Sequence, residues 1–268
     1  GSMDPNPKVA GKGVQILRDH GVEVETGLLE EECLSLNEIF FHYITTKMPY
    51  VAMKYAMTLD GKIASFSGDS KWVTGEKARE HTHFLRKKYR GILVGIGTVL
   101  ADDPMLNCRI ENGVDPVRIV CDSHLQIPLE CQLVKTAKNI ETIVCYAEEN
   151  EEKQKALMEA GVQLIKAEKD GQVDLEKLMM ELGSMEIDSV LVEGGGILNE
   201  SLIKNDCVHK VYAYIAPKLF GGEKAKTPVE GKGIERIQEA LVFDELKATP
   251  LGNDILLEGK VRSCLLES

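Results

Sequence analysis

The chain has 268 residues, 43% of them hydrophobic, enough for one large α/β domain or two small ones. A formal net charge of -11 excludes a non-specific nucleic-acid binder, whose phosphate contacts need a basic face. No apolar run has the length of a membrane span, and no basic stretch followed by an apolar one marks the N-terminus.

Gly1-Ser2-Met3 reads as a cloning remnant. From there to about Met48 the pattern is helical, with no strands. Pro7 to Gly21 is consistent with a helix ending at His20-Gly21, and "TGLLEEECLSLNEIFFHYITT" sets Leu28, Leu29, Cys33, Leu36, Ile39 and Phe40 at helical spacing. A piece of this size would hardly stand as an independent domain. Beyond it strands and helices alternate. Tyr50 to Met57, Gly91 to Gly95, Val117 to Cys121, Thr142 to Tyr146, Gln163 to Ile165, Ser189 to Val192 and Lys210 to Ile215 read as strands. Gly75 to Tyr89 behind a Thr74 N-cap, Asn150 to Ala160, Leu175 to Leu182 and Ile197 to Lys204 read as helices. This rhythm predicts an α/β fold with a mostly parallel sheet and helices on both faces. The tail "EALVFDELKATPLGNDILLEGKV" reads as two strands around a Pro250 to Asn253 turn, closing the sheet with antiparallel edge strands. Cysteines 33, 108, 121, 131, 145, 207 and 264 are odd in number and contain no C-x-x-C pair. They suggest neither a disulfide framework nor a zinc site, and a reducing cytoplasm suits them.

Three stretches are hard to explain as packing alone. "KYAMTLDGKIASFSGDSKWVTG" puts Lys54 in a strand pattern, an Asp60-Gly61 turn, and small polar residues around Trp72. Solvent-facing lysine and a plain turn are the bland accounts. Taken together, a cation, hydroxyls, a flat aromatic face and a helix start would suit a ligand with both phosphate and ring. "VGIGTVLADDPMLNCR" follows a strand with Thr98, two adjacent acids and Arg109, whose fork can bind phosphate bidentately, alone or with Arg86. Asp102-Asp103-Pro104 can equally be a helix cap and turn. In "LVEGGGILNESL" a buried strand meets Glu193 and three glycines before a helix. Positive φ and close backbone approach are what glycines would provide there, with unpaired helix amides for a phosphate; a ligand-free tight connection is the alternative. It is neither G-x-G-x-x-G, since Asn199 stands where the third glycine would be, nor a P-loop.

These stretches carry a family resemblance. "TLDGKIA", "GDSKWVTG", "VGIGTVLADDPML", "RIVCDS", and "VEGGGILNESL" followed by "APKLFGG" resemble, in order, the reductase half of the bifunctional riboflavin-biosynthesis deaminase/reductase. The lead "DPNPKVAGKG" is similar to the segment after the second zinc-binding cysteine of the deaminase half. No H-x-E or P-C-x-x-C element is present, so the resemblance implies that residues 4 to 48 are trailing helices of a truncated deaminase domain plus linker. It likewise implies that residues 49 to 268 are the reductase domain. Deaminase activity, zinc and any other metal are not expected in this chain.

For the reductase domain the resemblance implies a three-layer dihydrofolate-reductase-like fold, NADPH as hydride donor and a phosphorylated aminopyrimidine as substrate. The reaction would reduce the ribose of 5-amino-6-(5-phosphoribosylamino)uracil to the ribityl chain, with hydride arriving at C1′. By similarity Ala56, Trp72, Thr98, Asp102, Ser123 and the run Gly195, Gly196, Ile197, Leu198, Asn199, Glu200 and Ser201 fall at cofactor-contacting positions. Ser70, Arg86, Leu106, Arg109 and Glu193 fall at substrate-contacting ones. Lys54 or Asp102 would polarise or protonate the opening ribose while Glu193 orients its hydroxyls; the alternative for all three is purely positional. A homodimer is the expected assembly, through an apolar face of the leading helices. Two readings compete: a stand-alone reductase acting on the undeaminated diaminopyrimidine, and a catalytically silent NADP-binding or assembly module.

Overall fold

The computed structural model describes residues 2–6, 9 and 11–262. It divides into two compact units, residues 1–50 with 179–189, and residues 51–178 with 190–268.

The first unit carries α1 (Lys12–Asp19), α2 (Glu30–Leu36) and α3 (Glu38–Thr46). The helix expected from Pro7 is shorter, beginning at Lys12, and Pro7 lies outside the described residues, as does Cys264. The expected second helix is broken in two at Asn37, whose side-chain amide turns back to the Cys33 carbonyl at 2.9 Å. An asparagine bonding its own backbone competes with helix continuation there. Tyr43 donates to the Gly183 carbonyl at 3.0 Å, and a Cβ on Gly183 would overlap the Lys47 carbonyl oxygen.

Next along the chain come β1 (Tyr50–Thr58), α4 (Glu76–Lys88), β2 (Gly91–Gly95), α5 (Ile96–Asp102), β3 (Val117–Cys121), α6 (Gln132–Lys135), β4 (Thr142–Tyr146), α7 (Glu151–Glu159) and β5 (Gln163–Lys166). They are followed by a small hairpin of β6 (Glu168–Lys169) and β7 (Gln172–Val173), then α8 (Leu175–Ser184), β8 (Ser189–Val192), α9 (Gly196–Lys204) and β9 (Lys210–Ala216). Last come β10 (Phe243–Leu251) and β11 (Asp254–Val261). The nine-stranded sheet has the order β10-β11-β9-β1-β8-β2-β3-β4-β5. The pairs β1/β9, β2/β8, β2/β3, β3/β4 and β4/β5 are parallel, while β11 pairs antiparallel with both β9 and β10. This is the expected mixed α/β fold with antiparallel C-terminal edge strands.

Consecutive residues Ile92, Leu93 and Val94 are all fully buried, as are Ile143, Val144 and Cys145, so the central strands are covered on both faces. On one face Ile92, Val94, Val120 and Val144 pack with Leu133, Val134 and Leu157 from α6 and α7. Because β8, β2 and β3 run the same way, their carboxyl ends emerge together, where open α/β sheets bind ligands.

Two boundaries differ from expectation. The N-cap of α4 is Gly75 rather than Thr74, and its amide donates to the Asp254 carboxylate at 2.7 Å. A cap supplied 179 residues away leaves no local signature. The C-terminal turn is Gly252-Asn253 alone; Pro250 continues β10 opposite Ile255, which costs nothing because β10 is the sheet edge.

Arg118 on β3 is fully buried. It donates to the Thr142 and Thr136 hydroxyls and to the Leu133 and Ile140 carbonyls at 2.6 to 3.0 Å. Burial lowers its pKa to about 10, which still leaves it protonated at neutral pH. Replacing it by methionine would keep the packing but strand those acceptors. Arg118→Met is expected to lose roughly 3 kcal/mol or more in urea unfolding; an unchanged midpoint would show that the network contributes no net stability.

Candidate active site

Two adjoining cavities open in the second unit. The smaller, of about 310 Å3, is lined by the charged side chains Lys54, Arg79, Arg86, Asp102, Arg109 and Glu193, together with His83. The larger, of about 660 Å3, runs along Gly95 to Thr98, Ser123 to Gln126 and the start of α9. Ser70, Thr98, Asp102 and Gly195 line both and mark the junction.

At the centre of the smaller cavity is an ion triad drawn from three elements. Glu193 follows β8, its amide held by the Leu93 carbonyl at 2.9 Å. Its carboxylate takes a two-pronged pair from Arg86 on α4, at 2.7 Å from Nε and 3.0 Å from Nη2, with Lys54 Nζ of β1 at 3.8 Å. The third Arg86 nitrogen donates to the Asn107 carbonyl at 2.9 Å. Burial alone would raise the Glu193 carboxyl, but Arg86 and Lys54 outweigh it and hold it at about 2. Burial lowers the Lys54 pKa, with Glu193 opposing and Arg86 adding to the fall. Its ammonium also sits 5.5 Å over the Tyr214 ring. Lys54, for which a solvent-facing position was the bland account, therefore lines the cavity with only 15% of its side chain exposed.

The glycine triplet works by space. None of Gly194, Gly195 and Gly196 has positive φ, contrary to the expected conformational role. A Cβ on Gly194 would stand 2.8 Å from Leu198, and one on Gly196 would stand 2.7 Å from the Thr227 carbonyl oxygen. A Cβ on Gly195 would meet nothing within 4 Å. Gly194 and Gly196 thus let α9 and the following loop pack close, while Gly195 leaves open room at both cavities.

The expected site residues divide as follows. Ala56, Trp72, Thr98, Asp102, Ser70, Arg86, Arg109, Glu193 and Lys54 line the smaller cavity. Ser123, Gly196, Ile197, Leu198 and Ser201 line the larger. Leu106, Asn199 and Glu200 line neither. The Leu106 side chain is buried in the core with φ of 52°. Asn199 donates to the Pro228 carbonyl at 2.8 Å, and Glu200 accepts the Lys232 and Gly233 amides at 2.9 and 3.1 Å. Both point off the helix face away from the cavity, tying down the loop that Gly196 admits. The adjacent acids also separate: Asp102 ends α5, 4.0 Å from Lys71, while Asp103 takes the Gln132 amide at 2.7 Å as a start cap for α6.

Several lining residues escaped the sequence reading. Arg79, Thr82 and His83 share with Arg86 one stripe of α4, which the helical spacing 79, 82, 83, 86 could have revealed. Gln172 and Val173 reach the larger cavity behind an Asp170-Gly171 turn with both φ positive, a hairpin signal present in the sequence. Ser123 is fixed by that hairpin, donating to Gln172 at 3.2 Å and accepting the Val173 amide at 3.1 Å. Among the described residues, no group of three or more His, Cys, Asp and Glu is placed to hold a metal ion, and no helix is long and apolar enough to cross a membrane.

Residues 49–257 match the RibD C-terminal domain family. The chain is 53% identical over 267 residues to riboflavin biosynthesis protein RibD of Actinobacillus pleuropneumoniae, covering 99% of this chain and 71% of that protein. Among solved structures, Acinetobacter baumannii RibD (form 1) aligns with a TM-score of 0.82 and 33% identity, over 97% of this chain and 71% of that one. A Thermotoga maritima diaminohydroxyphosphoribosylaminopyrimidine deaminase/5-amino-6-(5-phosphoribosylamino)uracil reductase aligns with a TM-score of 0.79 and 35% identity, over 98% and 70%.

The depressed Glu193 carboxyl has a stability consequence with a definite sign. Its contribution is fully present above its ordinary value of 4.5 and is lost as pH falls through about 2. Glu193→Gln should be roughly 3 to 5 kcal/mol less stable than wild type in urea at about pH 6. The gap should narrow steadily toward about pH 2. An equal gap at both ends of that range would assign the loss to packing rather than to charge.

Proposed function

The chain belongs to the RibD C-terminal domain family and is a riboflavin-pathway pyrimidine reductase; from its site we propose that it reduces the ribose of 5-amino-6-(5-phosphoribosylamino)uracil to the ribityl chain, using NADPH. The observation that carries this reading is the pairing of a cavity of about 660 Å3 at a glycine-opened helix start with a basic, ion-paired cavity beside it. The larger cavity fits a dinucleotide: Gly195 leaves room, and the first amides of α9 are donors for a pyrophosphate. When bound, the cofactor would supply the hydride.

The chain's own residues then align the sugar and manage one proton. Reduction adds hydride to C1′ and a proton to the ring oxygen that leaves C1′ as the ribose opens. Lys54 is our proton donor: burial favours its neutral form, so release of a proton inside the cavity is eased. Glu193 stays ionised, orients the sugar hydroxyls and keeps Arg86 in place. Asp102 stands at the junction of the cavities and serves to position.

Residues 4 to 48 are proposed as the trailing helices and linker of a deaminase domain, which the longer relatives carry fused to the reductase. Exposed Ile16, Leu17, Leu34 and Leu36 on these helices favour a homodimer.

NADPH oxidation at 340 nm with the deaminated aminouracil, beside its undeaminated precursor, tests the reading. Turnover restricted to the deaminated compound is expected. Lys54→Met should lower kcat by roughly 100-fold or more, and Asp102→Asn by less than about tenfold. Equal turnover of both compounds, or an active Lys54→Met, would overturn the corresponding assignment.

A further inference from the structure

His83 of α4 lines the smaller cavity, faces Arg109 with both ring nitrogens, and is absent from the site residues that the motifs indicated. The Arg109 backbone N–H lies 3.2 Å from Nδ1, and the Arg109 guanidinium Nε–H lies 3.2 Å from Nε2. A neutral imidazole has one lone pair and one hydrogen, so it cannot accept at both positions. Burial lowers the His83 pKa, and the neighbouring Arg86 and Arg109 lower it further, which favours the neutral ring. The backbone amide is fixed while the guanidinium can turn, and this gives the lone pair to Nδ1 and the hydrogen to Nε2. With the hydrogen on Nε2, the two N–H groups would meet head-on at 3.2 Å, so the Arg109 guanidinium must turn, and a turned guanidinium and Nε2–H can then aim at one acceptor oxygen. Arg86 and Lys54 are engaged with Glu193, whereas Arg109 has no carboxylate partner among the described residues.

We infer that His83 is a substrate-binding residue, its Nε2–H and the Arg109 Nε–H donating together to an oxygen of the substrate's phosphate. The inference rests on the reductase reading for the identity of the phosphate, which is the 5-phosphate of the ribosyl group. The arrangement explains a neutral histidine among cations: it adds a donor at the anion without adding a further buried charge.

The test separates this site from turnover. D-ribose 5-phosphate is titrated calorimetrically into wild type, His83→Ala and His83→Gln, with D-ribose as control. His83→Ala should weaken ribose 5-phosphate binding roughly ten- to hundredfold, the range for a hydrogen bond to a charged group. His83→Gln, which keeps an N–H donor near the Nε2 position, should restore most of it, and D-ribose binding should not change. In steady state the same alanine variant should raise KM with kcat nearly constant. Wild-type-like binding by His83→Ala, an equal loss for D-ribose, or no binding of ribose 5-phosphate by wild type would each overturn the inference. If ribose 5-phosphate binding responds as expected but wild type reduces no aminouracil, the phosphate site stands and the reductase reading falls.

Discussion

The architecture of the site depends on one carboxylate compensating two buried cations. Glu193, Arg86 and Lys54 come from β8, α4 and β1, and each is largely withdrawn from solvent. Desolvating three charges is expensive, and the attraction among them roughly repays the cost rather than adding much net stability. What the triad secures is geometry. A two-pronged Arg86–Glu193 pair fixes α4 against the end of β8, and the same carboxylate stations Lys54 over the cavity floor. One negative and two positive charges leave the floor cationic within a chain whose formal net charge is -11. The local field thus opposes the global one, and the site offers an anion local attraction that the net charge does not.

Acidic side chains elsewhere do related work on the backbone. Asp60 accepts the Thr58 hydroxyl at 2.5 Å and the Phe220 and Gly221 amides at 3.1 and 2.7 Å, and these bonds lower its pKa to about 2. Asp122 takes the Gln126 and Ile127 amides at 2.9 and 2.7 Å, which shapes the turn presenting Ser123. Asp254 caps α4, and Glu200 ties down the 232–233 backbone. Carboxylates bound to amides close the loops around both cavities without a buried countercharge. The acids of the "TLDG" and "CDS" stretches, Asp60 and Asp122, thus hold loop backbone and line neither cavity, while Ser123 of the second stretch lines the larger one.

The strand and helix rhythm was legible because the parallel strands are doubly buried and the helices between them keep their period. Gly91 to Gly95, Val117 to Cys121, Thr142 to Tyr146 and Ser189 to Val192 appear with the expected bounds. What stayed hidden depended on partners distant in sequence. Nothing near Gly75 announces Asp254, and nothing near Asn199 announces Pro228. Thus a conformational role was assigned to Gly194–Gly196 where the constraint is contact with Leu198 and with Thr227. The motif reading found Glu193 and Arg86 separately, but their pairing across 107 residues appears only in three dimensions. His83 was missed because an isolated histidine in a polar helix carries no motif, although its place one turn before Arg86 and one turn after Arg79 puts it on the same stripe.

The two cavities also impose an order on the proposed chemistry. They meet at Ser70, Thr98, Asp102 and Gly195, so a group crossing from the larger to the smaller must pass that junction. With a dinucleotide held along the start of α9, as proposed, its reactive end would approach that junction. Arg109 and His83 would hold the sugar phosphate in the smaller cavity, which Lys54 and Glu193 also line. In the proposed reaction C1′ would lie near that junction, where the cofactor would supply the hydride and Lys54 the proton. The phosphate contacts would bring the substrate to the site, and the ion-paired floor would align C1′, which is where a hydride transfer without further protein chemistry has most to gain.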